Sequence, residues 1–148
     1  MGIIRTVLFS LLAFCTLLPL PASAQVYRAI NWLTVVPLNA TDFEVIEGRG
    51  EGARGIWCAA ADFAIYSMNA PRQARIYVKS PRGPSISGVG RVGVVFTTDA
   101  ASLGTSPKQS YSVTVRTKGL GLPVHHAHQF CRDYFLDLDD GLFRRHRR

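Results

Sequence analysis

Apolar positions change their spacing along this chain, and each change marks an element. In Gly55-Ile-Trp-Cys-Ala-Ala-Ala-Asp-Phe-Ala-Ile-Tyr-Ser-Met68 they recur at almost every position, with Asp62 the only charge. A helix apolar on all sides is buried, and its three consecutive alanines let a sheet approach closely. Asn69 and Pro71 then stop it. Before it, Val26–Val36 is rich in β-branched and aromatic residues and reads as one strand. Phe43–Glu47 reads as a second strand, with its glutamates on the solvated side. After the helix, Arg75–Lys79 and Val89–Thr97 read as strands. Tyr111–Thr117 alternates strictly: Tyr111, Val113 and Val115 are expected inside, and Ser112, Thr114 and Arg116 outside. Gly119-Leu-Gly-Leu-Pro123 reads as a breaker, and His125–Leu138 as a short helix. The order β-β-α-β-β-β-α predicts an α+β domain, with an antiparallel sheet of about five strands, one buried Ala-rich helix and a short C-terminal helix.

The first 24 residues follow a different logic. Arg5 is their only charge; an apolar run from Val7 to Leu18 follows, then Pro19, Pro21 and Ala22-Ser23-Ala24. This is the pattern of a secretory signal cleaved before Gln25. A membrane anchor would need about 20 apolar residues, and the run breaks at Pro19. A lipoprotein signal needs a small residue before its cysteine, where this chain has Phe14 before Cys15. The expected organisation is therefore a signal peptide over 1–24, one domain over 25–142 and a basic tail over 143–148, with no transmembrane span after cleavage. The location expected is periplasmic or secreted. A chain of this size can bury about two-thirds of its unfolded surface.

Cleavage removes Cys15 and leaves Cys58 and Cys131. An even count in an exported chain predicts a disulfide between them. The alternative is a free Cys58 at the start of its helix, where a thiol is acidified and becomes nucleophilic once a histidine is near. His125 and His126 are the candidate bases. A cysteine-bearing helix followed by strands and then a histidine resembles cell-wall peptidases of the NlpC/P60 type, and that resemblance implies a thiol hydrolase. The segment before His125, Gly119-Leu-Gly-Leu-Pro-Val124, departs from that family's hydrophobic strand.

Three imidazoles within four residues, His125, His126 and His128, also make a candidate site for zinc or copper. On a helix only 125 and 128 share a face. Asp137-Leu-Asp-Asp-Gly141 lacks the ligand spacing of a calcium loop and reads as an acidic turn. Gly88-Val-Gly-Arg-Val-Gly93 spells a dinucleotide fingerprint, but strand residues follow it where the fingerprint needs a helix. Its glycines are expected to bend the strand or admit a close neighbour. Asp62, buried in its helix, needs a partner; Arg54, Arg75 and Arg132 are the candidates.

The formal charge of +7 falls to +6 when Arg5 leaves with the leader. Arg144, Arg145, Arg147 and Arg148 concentrate positive charge in the tail, where an anionic surface could meet it. Nucleic acid is not an expected partner: the leader directs export, and aromatic RNA-binding motifs are absent from the sequence. No cofactor is expected.

Trp57-Cys58-Ala59-Ala60-Ala61-Asp62-Phe63 together with Gln129-Phe130-Cys131-Arg132-Asp133 resembles small secreted bacterial proteins of unknown function. The resemblance implies no activity. The function expected is a non-enzymatic binding or structural domain of the cell envelope, its partner an envelope protein or an anionic surface.

Overall fold

The computed structural model describes residues 25–135. The leader, the acidic turn Asp137–Gly141, the basic tail and the end of the expected C-terminal helix lie outside the described residues.

The chain folds as an α+β domain. Its strands are β1 (Tyr27–Arg28), β2 (Thr34–Pro37), β3 (Asp42–Ile46), β4 (Arg75–Pro84), β5 (Val92–Thr97), β6 (Lys108–Gln109) and β7 (Leu120–Pro123). Helix α1 spans Ala53–Tyr66 and α2 spans Val124–Gln129, with a 3-10 turn at Ala100–Leu103. The strands form one sheet in the order β1-β2-β3-β5-β4-β7-β6. Every pairing is antiparallel except that of β6 with β7. The sheet is therefore mixed and has seven strands, not about five antiparallel ones.

Residues 55–64 of α1 are all buried, as an all-apolar helix must be. One side packs on the sheet, against Phe43, Val45, Ile76, Val78, Val94 and Phe96. Phe43 lies 4.8 Å from Phe63, and Trp57 meets Phe96 edge-on at 4.9 Å, distances at which aromatic pairs add to area burial. Helix α2 and irregular chain cover the other side. The Trp57 indole N–H donates to Val113 O at 3.0 Å, and Asn31 Nδ2 donates to Gly55 O at 2.8 Å. Asn69, at φ 55°, ends the helix in the left-handed region as expected of an asparagine stop.

Two expected strands differ. Val26–Val36 is a hairpin rather than one strand, because Ala29–Leu33 turns tightly: Trp32 N donates to Ala29 O at 2.8 Å and Ala29 N to Leu33 O at 2.9 Å. Trp32 sits at φ 67° at the tip of that turn. Tyr111–Thr117 is not a strand at all. Its hydroxyls satisfy the backbone locally: Ser110 Oγ accepts from Ser112 N, Ser112 Oγ from Thr114 N, and Thr114 Oγ1 from Arg116 N. Such bonds compete directly with a strand ladder. Val115 still faces the core, but Tyr111 is 89% exposed. Conversely, the expected breaker at 119–123 supplies β7. Gly121 belongs there because the Tyr77 ring of β4 lies over it, in the space a Cβ would need.

The outer face of the sheet carries buried charge at Asp42 and Glu44, so Glu44 is not solvated as expected, while Glu47 stays partly exposed. Asp42 pairs with Lys79 Nζ at 2.6 Å. Burial would raise the Asp42 carboxyl, but hydrogen bonds from Lys79, Thr97 and Asn39 outweigh it and hold the group at about 2. Glu44 is 1% exposed, roofed by the loop between β4 and β5. It accepts from Ile86 N and Ser87 N, both at 2.9 Å, and from Ser85 Oγ at 3.0 Å. These bonds hold its carboxyl below the ordinary range against the opposing effect of burial. Gly93, last of the dinucleotide-like glycines, leaves room for this side chain: a Cβ there would meet Glu44 Cδ at 2.8 Å and Cγ at 2.9 Å.

Cys58 and Cys131 are bonded, with Cα atoms 5.1 Å apart at a sequence separation of 73. The bridge joins α1 to the chain just beyond α2.

Two stability predictions follow from these contacts. Reducing the bridge removes a long-loop constraint on the unfolded chain, so ΔG of unfolding should fall by about 4 kcal/mol in the chain-entropy model. Urea titrations with and without reductant measure this; equal midpoints would contradict it. Gly93→Ala forces a locked carboxylate aside and should cost about 1–3 kcal/mol, as core overpacking does. An unchanged urea midpoint would show that the Glu44 side chain is not fixed.

Candidate functional site

The last strand and the short helix after it carry the chemically interesting residues. On the β4–β7 ladder Arg75 lies opposite Pro123, and Ile76 opposite Leu122. Alternation sends Ile76 and Leu122 into the core and leaves Arg75 and Pro123 on the outer face. Helix α2 follows directly and presents His125 and His126 beside Arg75. The chain leaving β6 brings Gln109, Ser110 and Tyr111 to the opposite wall. Together they bound a cleft of about 290 Å³.

The polar groups of the cleft are fixed by backbone carbonyls. Arg75 donates one guanidinium N–H to Gly121 O at 3.2 Å. His125 Nδ1 lies 3.0 Å from Arg72 O. A carbonyl can only accept, so Nδ1 carries the proton and Nε2 is left as the outward nitrogen. The His126 ring packs 5.6 Å from Phe130 and 6.2 Å from Tyr111. Among the described residues no carboxylate lines this cleft.

His128 is separated from the other two histidines. It turns toward α1, between Tyr66 at 6.1 Å and Phe135 at 5.8 Å, with Nε2 4.0 Å from Asp62 Oδ1. Its Nε2 is buried without a hydrogen-bond partner among the described residues. Burial lowers its pKa, Asp62 opposes that, and Arg72 adds to it. The three histidines thus do not converge, and among the described residues no group of three His, Cys, Asp or Glu side chains is placed to hold a metal.

Asp62 finds neither Arg54, Arg75 nor Arg132. Its carboxylate accepts from Tyr27 Oη at 2.8 Å and Ile30 N at 3.1 Å. Burial, with that carboxylate beside it, pushes the Tyr27 phenol well above its ordinary range. Arg54 instead lies over the Phe130 ring at 5.7 Å. Arg132 is exposed.

Cys58 is 0% exposed, and its sulfur is bonded to Cys131. In this state it is not a thiol, so neither His125 nor His126 meets a Cys58 thiolate. The segment before His125 forms the strand β7, and His125 itself lies on α2. The tail arginines, Arg144, Arg145, Arg147 and Arg148, lie outside the described residues.

Two further clefts are less reactive. One, of about 270 Å³, contains Glu47 and Arg82, which already pair at 2.6 and 2.9 Å. Its Glu51 receives the Tyr134 hydroxyl, whose pKa is pushed up to about 12 by burial and by that carboxylate. The other, of about 340 Å³, is lined by Val26, Tyr27, Pro37 and Tyr66 near β1.

Arg75 and Tyr111 were not legible as site residues. Arg75 reads as an ion-pair donor and Tyr111 as a core residue. The usable signal for Tyr111 is the Ser and Thr at every second position, which turns the chain outward.

Comparison with protein-family models, curated proteins and solved structures found no match, so no family of known function is assigned.

The His128 environment predicts a pH effect. Unfolded, this imidazole takes up a proton near its ordinary value of 6.5; folded, it does so only at lower pH. Its contribution is complete above 6.5 and is lost as pH falls from there toward the folded value. His128→Gln should lose less stability than the parent between about pH 7 and about pH 5. Urea midpoints at both pH values test this, and parallel losses in the two proteins would refute it.

Proposed function

We propose that this chain is an exported, non-enzymatic binding or structural domain of the cell envelope, periplasmic or secreted. It meets its partner at the Arg75–Tyr111–His126 cleft. The observation that carries this reading is the buried Cys58–Cys131 bridge. Disulfides persist in oxidising compartments, which agrees with the leader pattern before Gln25. The same bridge occupies the one sulfur that the peptidase reading needs as a nucleophile. Among the described residues no helix is long and apolar enough to cross a membrane. The arginine-rich end adds a charge that an anionic surface would attract, in a salt-sensitive way.

The reading is tested by producing the full chain from Met1 in a bacterial host. The form recovered outside the cytoplasm should begin at Gln25 and should leave peptidoglycan fragments uncut, before and after reduction. An intact leader on protein retained inside the cell would refute export. Cleavage of the fragments after reduction would replace the binding domain with a thiol hydrolase.

A further inference from the structure

We infer that the cleft between β4, β7 and α2 binds a small organic anion, with a carboxylate or phosphate group on Arg75 and His125 and an apolar body against Pro123 and Tyr111. This deepens the proposed function and rests on it.

The cleft has the chemistry of an oxyanion site. Arg75 is held by Gly121 O through one nitrogen. Its remaining N–H groups have no protein acceptor among the described residues. A guanidinium fork matches a carboxylate or phosphate bidentately, and charge-assisted bonds of this kind are the strong ones. His125 is held through Nδ1 by Arg72 O, so Nε2 is already turned away from the backbone; protonated, it donates to an anion beside Arg75. Both side chains are oriented before any ligand arrives, which lowers the entropic cost of binding. Among the described residues no acidic side chain of the lining competes.

The walls select for an organic ligand rather than a bare ion. Pro123 offers a flat apolar surface on one side. Tyr111, 89% exposed, stands on the other with its ring 6.2 Å from His126. Ser110 and Gln109 add neutral hydrogen-bonding groups at the rim. At about 290 Å³ the cleft lies at the small end of ligand sites, which run from about 300 to 1,000 Å³. It suits one charged head group and a body about the size of one ring, not an extended polymer.

The test is an NMR titration of the exported full chain at constant pH, following the ring resonances of His125 and His126. The probes are benzoate, phenyl phosphate and the neutral analogue benzyl alcohol. Saturable shifts with either anion, and none with benzyl alcohol, are expected; which anion acts at lower concentration distinguishes a carboxylate from a phosphate source. Arg75→Gln should weaken the response roughly tenfold or more, the scale of one charged hydrogen bond. Arg75→Lys, which keeps the charge without the fork, should fall between. Lys118→Gln, outside the cleft, should leave the response unchanged, and the remaining spectrum reports that each variant is folded. Rings unmoved by both anions, or moved equally by benzyl alcohol, would overturn the inference. If the same protein begins at Gln25, that failure removes the anion site and leaves the exported, non-enzymatic reading standing.

Discussion

The Cys58–Cys131 bond determines where the C-terminal part of this domain lies, and the candidate site depends on that placement. Helix α2 has six residues, too few to be stable alone in water. It is held from three directions. Val124 and Ala127 are buried in the core. Val124 N and His125 N donate to Ala74 O and Arg72 O at 2.8 and 2.9 Å. Just beyond its end, Cys131 is bonded to the first half of α1. Because α1 is itself enclosed, the bridge fastens a marginal helix to the buried core. His125 and His126 therefore keep a fixed relation to Arg75 on β4. A staple far from any ligand in this way supports the geometry of the cleft.

The same economy governs the buried charges. Burying a carboxylate is costly unless it is hydrogen-bonded or paired, and three are buried among the described residues. Asp42 has Lys79, Asn39 and Thr41 around it. Glu44 organises the loop Ser85–Ser87, which has no regular structure of its own. Asp62 fastens the β1–β2 turn to α1 through Tyr27 and Ile30. In each case a charge on a regular element orders an irregular segment. His128 is the exception, a buried imidazole nitrogen without a partner among the described residues, and it is where acid should be felt first.

The parts legible in the sequence are those whose pattern has one physical meaning. An unbroken apolar run of helical length has to be buried, and α1 is. Outside the leader-like first 24 residues there are two cysteines, each with one possible partner, and Cys58 and Cys131 are bonded. Phe43–Glu47, Arg75–Lys79 and Val89–Thr97 all contain strand, although Glu44, between the apolar residues of β3, is covered rather than solvated. What was illegible depends on competition. Tyr111–Thr117 has perfect strand alternation, yet its Ser and Thr hydroxyls give the backbone a local alternative. Leu120–Pro123 has the glycines of a breaker, yet Gly121 is what lets the Tyr77 ring lie across the ladder. Val26–Val36 has strand composition throughout, and its turn rests on Trp32 adopting a backbone conformation that tryptophan seldom takes. The cleft was hidden for a related reason: Arg75, Tyr111 and His125 come together only through β7 and the outward path of 110–117.

The central claim is that the bridge exists in the exported protein and commits Cys58 to structure. Its most direct test is a thiol count on denatured protein recovered from an oxidising compartment, with and without reductant. No free thiol before reduction and two after it, in a monomer, is the result expected. Two free thiols before reduction, with Cys58 labelling fast near neutral pH, would contradict the account and return Cys58 to the role of a nucleophile.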